Sequence, residues 1–134
     1  MKTIDYYNKF AADFAEATLH VDMDSLYQPF LTELPKTASI LDVGCGSGRD
    51  TLAFKNKGLQ VDAIDSSEEL VKRATQFTDV QVKLKSFYEI DDHEVYDGVW
   101  ACASLLHCKR SWLAEVIGKL MTALKQNGVL YMSF

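Results

Sequence analysis

Apolar residues Ile4, Tyr7, Phe10, Ala11 and Phe14 recur at the spacing of one helix face, so residues 3–18 are predicted to be helical. A second helix is predicted from Asp24, as its N-cap, through Leu26, Phe30 and Leu31 to Leu34. After Pro35 the pattern changes. Ser39-Ile40-Leu41-Asp42-Val43 is a short apolar run entering Gly-Cys-Gly-Ser-Gly, which reads as a strand feeding a tight loop. Residues 50–57 read as a helix stopped by Gly58. Residues 60–64 read as a second strand ended by Asp65, and Ser66 or Ser67 caps a helix with Leu70, Val71 and Ala74 on one side. Residues 80–84 alternate as a third strand, and residues 96–103 suit a fourth buried on both faces. Residues 110–124 carry the stripe Leu113, Val116, Ile117, Leu120 and Leu124. Asn127-Gly128 then marks a turn before a fifth strand over residues 129–134. Strands alternating with helices predict an α/β fold, an open and mostly parallel sheet with helices on both faces. The ligand of such a sheet belongs at the carboxyl ends of its strands, near the switch in strand order.

Length and composition narrow this further. A chain of 134 residues suits one domain, residues 1–134, here divided into an N-terminal helical lid (residues 1–35) and an α/β core (residues 36–134). No apolar run approaches the roughly 18 residues needed to span a bilayer, and the first residues lack the apolar stretch of a secretory signal. Cys45, Cys102 and Cys108 are odd in number and have no metal-binding spacing, so they read as reduced, small apolar residues in a cytoplasmic protein with no metal site. Fourteen basic against nineteen acidic residues leave a net charge of −5, which gives no footprint for nucleic acid or an anionic membrane.

The densest chemistry lies in Asp42-Val43-Gly44-Cys45-Gly46-Ser47-Gly48-Arg49-Asp50. Glycines at 44, 46 and 48 allow a sharp turn and a close backbone approach to a ligand, and the helix that follows offers unpaired N–H groups. Asp65 closes the second strand about 20 residues on, where a carboxylate can accept hydrogen bonds from both hydroxyls of a ribose. Glycines alone would fit an ordinary strand–helix turn; with Asp42 and Asp65 they point to a nucleoside cofactor. The dinucleotide pattern GxGxxG does not fit, because the third glycine arrives one residue early and Arg49 takes its place. Asp42 would oppose a pyrophosphate yet could suit an ammonium-bearing ligand, directly or through water. S-adenosyl-L-methionine carries such an ammonium together with a carboxylate, a ribose and a sulfonium.

On these residues the chain resembles the class I S-adenosylmethionine-dependent methyltransferases, in particular the small tellurite-resistance-type and generic small-molecule enzymes. The resemblance implies a Rossmann-like sheet of strand order 3-2-1-4-5 and S-adenosyl-L-methionine as cofactor. It assigns Asp42, Gly44, Cys45, Gly46 and Gly48 to the motif around the methionine part, Asp65 to the ribose, and Ser66 and Ser67 to the neighbourhood of the adenine. Ser86 and Phe87 fall where the family places a polar or acidic residue and a hydrophobic one around the adenine, with Ser standing for Asp. Residues 96–107 resemble the fourth-strand motif, which puts Ala101 beneath the methionine. Tyr6, Tyr7 and Phe10 would sit on a helix over the cofactor, with Tyr7 among its contacts.

Further expectations follow from departures. The family's sheet usually continues past the fifth strand with a helix and about two more strands, whereas this sequence ends at Phe134. That predicts a truncated form, or a homodimer or partner covering an apolar edge. His107, after the fourth strand, is the candidate general base, or else a loop-capping histidine. Ser104 and Cys102 read as small residues that let the cofactor approach. The Asn/Asp-Pro-Pro-aromatic motif of amine-methylating relatives is absent, and Ala101 to Leu105 stands in its place. This predicts methyl transfer to a small molecule and not to nucleic acid, the other reading being a non-catalytic cofactor-binding or interaction module.

Overall fold

The computed structural model of the protein describes residues 4, 8, 11, 12 and 22–134. Ile4, Asn8, Ala11 and Ala12 are helical, while Tyr6, Tyr7 and Phe10 lie outside the described residues. The elements then run α1 (Asp24–Thr32), β1 (Ser39–Val43), α2 (Arg49–Asn56), β2 (Gln60–Asp65), α3 (Glu68–Thr78), β3 (Lys83–Leu84), β4 (Tyr96–Ala101), α4 (Leu113–Ala123) and β5 (Leu124–Met132). One sheet orders them β3-β2-β1-β4-β5, every neighbouring pair parallel. The order turns back between β1 and β4, so a crevice opens at their carboxyl ends.

Strand alternation sorts the core into two layers. Leu41 and Val43 of β1 and Val99 and Ala101 of β4 face α4, where Val116, Leu120 and Ala123 complete a buried cluster. The intervening residues Ile40 and Trp100 face the other way, onto Tyr27 and Phe30 of α1 and Phe54 of α2. Trp100 is wholly buried there, edge-on to Tyr27, Phe30 and Phe54 and stacked on Tyr131 at 3.9 Å. Helix α1, placed by the sequence within a lid, is thus bolted to the flank of the sheet.

Several boundaries differ from the sequence expectation, each for a local reason. Asp24 is the first helical residue, not the cap; its own N–H donates to Asp22 Oδ1 at 3.0 Å. The third strand shrinks from residues 80–84 to Lys83–Leu84. The N–H groups of Val80 and Val82 donate to Thr78 Oγ1 and Thr75 Oγ1, which holds that stretch against the end of α3 and out of the ladder. The fourth strand stops at Ala101, since Ala103 turns with φ of 52°. Residues 105–107 and 110–112 form 3₁₀ turns, delaying α4 to Leu113. Leu124 opens β5 rather than closing the helix. Two steps along β4 (Tyr96 to Gly98) are matched by five along β5 (Leu124 to Val129), so the Asn127-Gly128 turn becomes a bulge inside the strand.

Candidate functional site

The loops following β1, β2, β3 and β4 enclose a cavity of about 840 Å³. Of the residues singled out from the sequence, Gly44, Cys45, Gly46, Asp65, Ser66, Ser67, Ser86, Phe87 and His107 line it. They come from four separate loops, brought together by the sheet order.

The glycine loop is held from within. Gly44 and Cys45 both donate their N–H to the carbonyl of Ile64, at 2.9 and 3.0 Å, and Gly48 donates to Cys45. The amide of Gly46 donates to Asp65 Oδ2 at 2.8 Å. The N–H groups of Gly44, Cys45 and Gly46 are therefore spent on β2, and that of Gly48 on the loop itself, so they do not form an open anion cradle of the P-loop kind. What the absence of a side chain at Gly44 allows is close packing against the segment after β4. Gly44, at φ of 70°, lies so close to Ser104 that a Cβ there would stand 2.6 Å from the Ser104 Cβ.

Asp65 is the hinge of the site. Its second oxygen accepts from the N–H of Ser67 at 2.9 Å, so the carboxylate ties the glycine loop to the start of α3. Burial pushes its pKa above the usual carboxylate range, against the pull of these N–H donors and of His107 nearby. A carboxylate oxygen accepts more than one hydrogen bond, so each keeps capacity for a ligand hydroxyl. Ser67 caps α3 by accepting from the N–H of Leu70 at 3.3 Å and donates its own proton to Asn8 Oδ1 at 2.6 Å. Its hydroxyl is thus committed to fastening an N-terminal helical residue to the rim, with Ser66 left as the more open serine. After β3, the N–H of Ser86 donates to Glu89 Oε1 at 2.9 Å. The Phe87 ring, half-buried, packs on the core and edge-on to Tyr88.

Three predicted residues stand away from the cavity surface. Asp42 shares the face of Ile40 and Trp100, which turns it under the loop, and it accepts from Thr51 Oγ1 at 2.6 Å. It is therefore no direct partner for an ammonium ligand; it fastens α2 to β1. Gly48 faces α3, where Thr78 and Ala74 crowd it. Ala101 points into the core with α4, and Cys102 and Ala103 line the cavity beyond it. Tyr7 lies outside the described residues, though Ile4 lines the cavity.

Burial and the neighbouring charge of Asp50 push the Asp42 carboxyl up to about 8. The sign follows from proton linkage: between its unfolded value near 3.8 and about 8 the folded form binds the extra proton, so stability falls as pH rises through that window. Asp42→Asn, an isostere of the protonated acid, should lose this dependence. In thermal melts between pH 5 and pH 8 the variant should gain about 5 °C or more on the wild type. Parallel curves would show that Asp42 keeps its ordinary affinity for protons.

Sequence reading missed the group that braces the loop from below. Asp50 is buried and accepts from Tyr27 Oη, from Trp100 Nε1 at 2.8 Å, and from Arg49 Nε at 2.9 Å and Nη2 at 3.3 Å. Arg49, so oriented, lines the cavity. Nothing local marks Asp50 as a hub, because Tyr27 and Trp100 lie 23 and 50 residues away. Among the described residues, no group of three His, Cys, Asp or Glu side chains could hold a metal ion, and no helix is long and apolar enough to cross a membrane. The site can therefore offer a carboxylate to a pair of hydroxyls, an aromatic wall to a flat ring, and a narrow bare-backbone slot to a small polar end.

The chain is similar to known methyltransferases. A family described as a methyltransferase domain matches residues 40–128. An uncharacterized methyltransferase of Staphylococcus carnosus (strain TM300) is 27% identical over 138 residues, covering 97% of this chain and 66% of its own length. The 2-methyl-6-phytyl-1,4-hydroquinone methyltransferase of Synechocystis is 32% identical over 108 residues, covering 75% of this chain and 33% of its own length. The chain thus spans between a third and two thirds of these relatives. The crystal structure of magnesium protoporphyrin IX methyltransferase from Synechocystis with bound S-adenosylmethionine superposes with a TM-score of 0.72 at 20% identity, over 90% of this chain and 69% of that one. At that identity the likeness is one of fold. With the family match extending over more than half of its residues and through the glycine loop, Asp65 and the fourth strand, the chain belongs to the class I S-adenosylmethionine-dependent methyltransferases.

Proposed function

We propose that the protein binds S-adenosyl-L-methionine in this cavity and transfers its methyl group to a small-molecule acceptor. The observation that carries the reading is Asp65: a largely buried carboxylate, held at two points by main-chain N–H groups, at the mouth of a glycine loop. The residues present fit the cofactor. Asp65 would receive the ribose hydroxyls, Phe87 with Ser66 and Ser86 would flank the adenine, and the slot at Gly44–Gly46 would take the amino-acid end. When bound, the cofactor supplies a methyl group on a sulfonium, already activated toward a nucleophile.

Little is then asked of the chain beyond alignment and exclusion of water. The small side chains of Cys102 and Ala103 leave room at the wall nearest β4. Tyr88 and Leu106 give the opening an apolar rim suited to an apolar acceptor, and His107 stands beside them as the candidate proton acceptor. The name of the Synechocystis relative, which acts on a hydroquinone, and the net charge of −5 support a small molecule over nucleic acid.

Calorimetric titration with S-adenosylhomocysteine tests the reading, NAD serving as control. Wild type should bind the sulfur nucleoside and not NAD; no heat with the former would end the proposal. Asp65→Ala should weaken that binding by about 1–3 kcal/mol, and should also lower the melting temperature because the Gly46 and Ser67 amides lose their acceptor. An unchanged affinity would put the ribose elsewhere. Asp65→Asn, which retains an acceptor for one amide, should lose affinity with a smaller fall in stability.

A further inference from the structure

We infer that Asn8 is a positioning residue of the cofactor site: it keeps the Ser67 hydroxyl proton away from Asp65 and so leaves that carboxylate open to the ribose, an assignment that rests on the functional reading above. Asn8 Oδ1 accepts from Ser67 Oγ at 2.6 Å and from the N–H of Glu69 at 3.3 Å. A main-chain N–H can only donate, so the oxygen of the carboxamide, and not its nitrogen, faces α3. From 59 positions away, Asn8 thus completes the cap that Ser67 begins. Ser67 Oγ takes the N–H of Leu70, and Asn8 takes that of Glu69.

One proton decides the consequence. Ser67 is 1% exposed, and its hydroxyl has a single proton to give. Accepting from Leu70 does not use that proton, whereas the bond to Asn8 does. Buried donors find acceptors. With Asn8 removed, the acceptor offered by the same turn is Asp65 Oδ1, which already receives the Ser67 N–H at 2.9 Å. Turned onto that oxygen, the Ser67 hydroxyl would take the lone pair left for a ligand hydroxyl, while Oδ2 stays with the amide of Gly46. Asn8 therefore sets how much acceptor capacity the ribose meets at Asp65, although it does not itself line the cavity.

Asn8→Ala should weaken S-adenosylhomocysteine binding by about 5–10-fold in calorimetry, through partial loss of one hydrogen bond to a charged group. A second variant separates this from a merely structural role. Adding Ser67→Ala removes the stray proton, so the double variant should regain affinity to within about twofold of Ser67→Ala alone. Having also lost the serine cap, it should nevertheless melt at a lower temperature than Asn8→Ala. Affinity and stability then move in opposite directions, which a simple loosening of α3 would not produce. Titrations are made well below each melting midpoint. Unchanged affinity for Asn8→Ala would overturn the assignment, and so would a double variant that binds no better than Asn8→Ala. Wild type that binds no S-adenosylhomocysteine would end the cofactor reading and this assignment together. Wild type that binds, with no recovery in the double variant, ends the assignment alone.

Discussion

Replacing Asp50 by alanine should cost about 3–5 kcal/mol of folding stability, the largest loss expected from any single polar truncation in this chain. The substitution leaves Tyr27 Oη and Trp100 Nε1 as unpaired donors in the aromatic layer and strips Arg49 of its carboxylate. Burial and the adjacent Asp50 charge push the Tyr27 phenol far above its usual range, so it stays a donor at every ordinary pH. Urea unfolding followed by Trp fluorescence reads this directly, since Trp100 sits within the network. Asp50→Asn retains an acceptor oxygen and should lose about half as much. A loss below about 1 kcal/mol for Asp50→Ala would mean that water replaces the carboxylate and that the layer is not dry.

Gly44→Ala should reduce affinity for S-adenosylhomocysteine by at least about 30-fold while leaving a folded protein weakened by about 2–4 kcal/mol. Two costs add. An alanine at φ of 70° is strained, and its Cβ would overlap the Ser104 Cβ at 2.6 Å, forcing the slot to open or the β4 loop to move. Gly48→Ala is the control. Its backbone is equally left-handed, at φ of 95°, but its Cβ would meet Thr78 Cγ2 at 2.7 Å, on the side facing α3. That variant should lose comparable stability yet much less affinity. Titrations well below each melting midpoint separate the two effects; equal affinity losses would show that the loop responds as one rigid body.

Much of this architecture was legible in the primary structure because it depends on short-range rules. Ser39–Val43 appears as a strand at the predicted residues, since an apolar run before a glycine loop has few other uses. A serine cap at 66 or 67 was readable, and Ser67 is the one that caps; Gly58, at φ of 87°, was readable as the stop after α2. The boundaries that moved did so where side chains competed with the backbone. Thr75 and Thr78 took the amides that strand β3 would have used, and the bulge at Asn127-Gly128 let β5 begin at Leu124.

The amino-acid order by itself determined the alternation of strands and helices, the glycine loop at residues 44–48 and the acid at its mouth. All of these follow from patterns a few residues long. Only the tertiary structure decided where side chains point and whom they meet. It turned Asp42 beneath the loop, gathered Tyr27, Asp50 and Trp100 into one network, spent the loop amides on Ile64 and Asp65, and left the Ser104 hydroxyl alone in the wall. Those outcomes depend on the register of parallel strands joined by long crossovers, where partners lie tens of residues apart and no local pattern records their pairing.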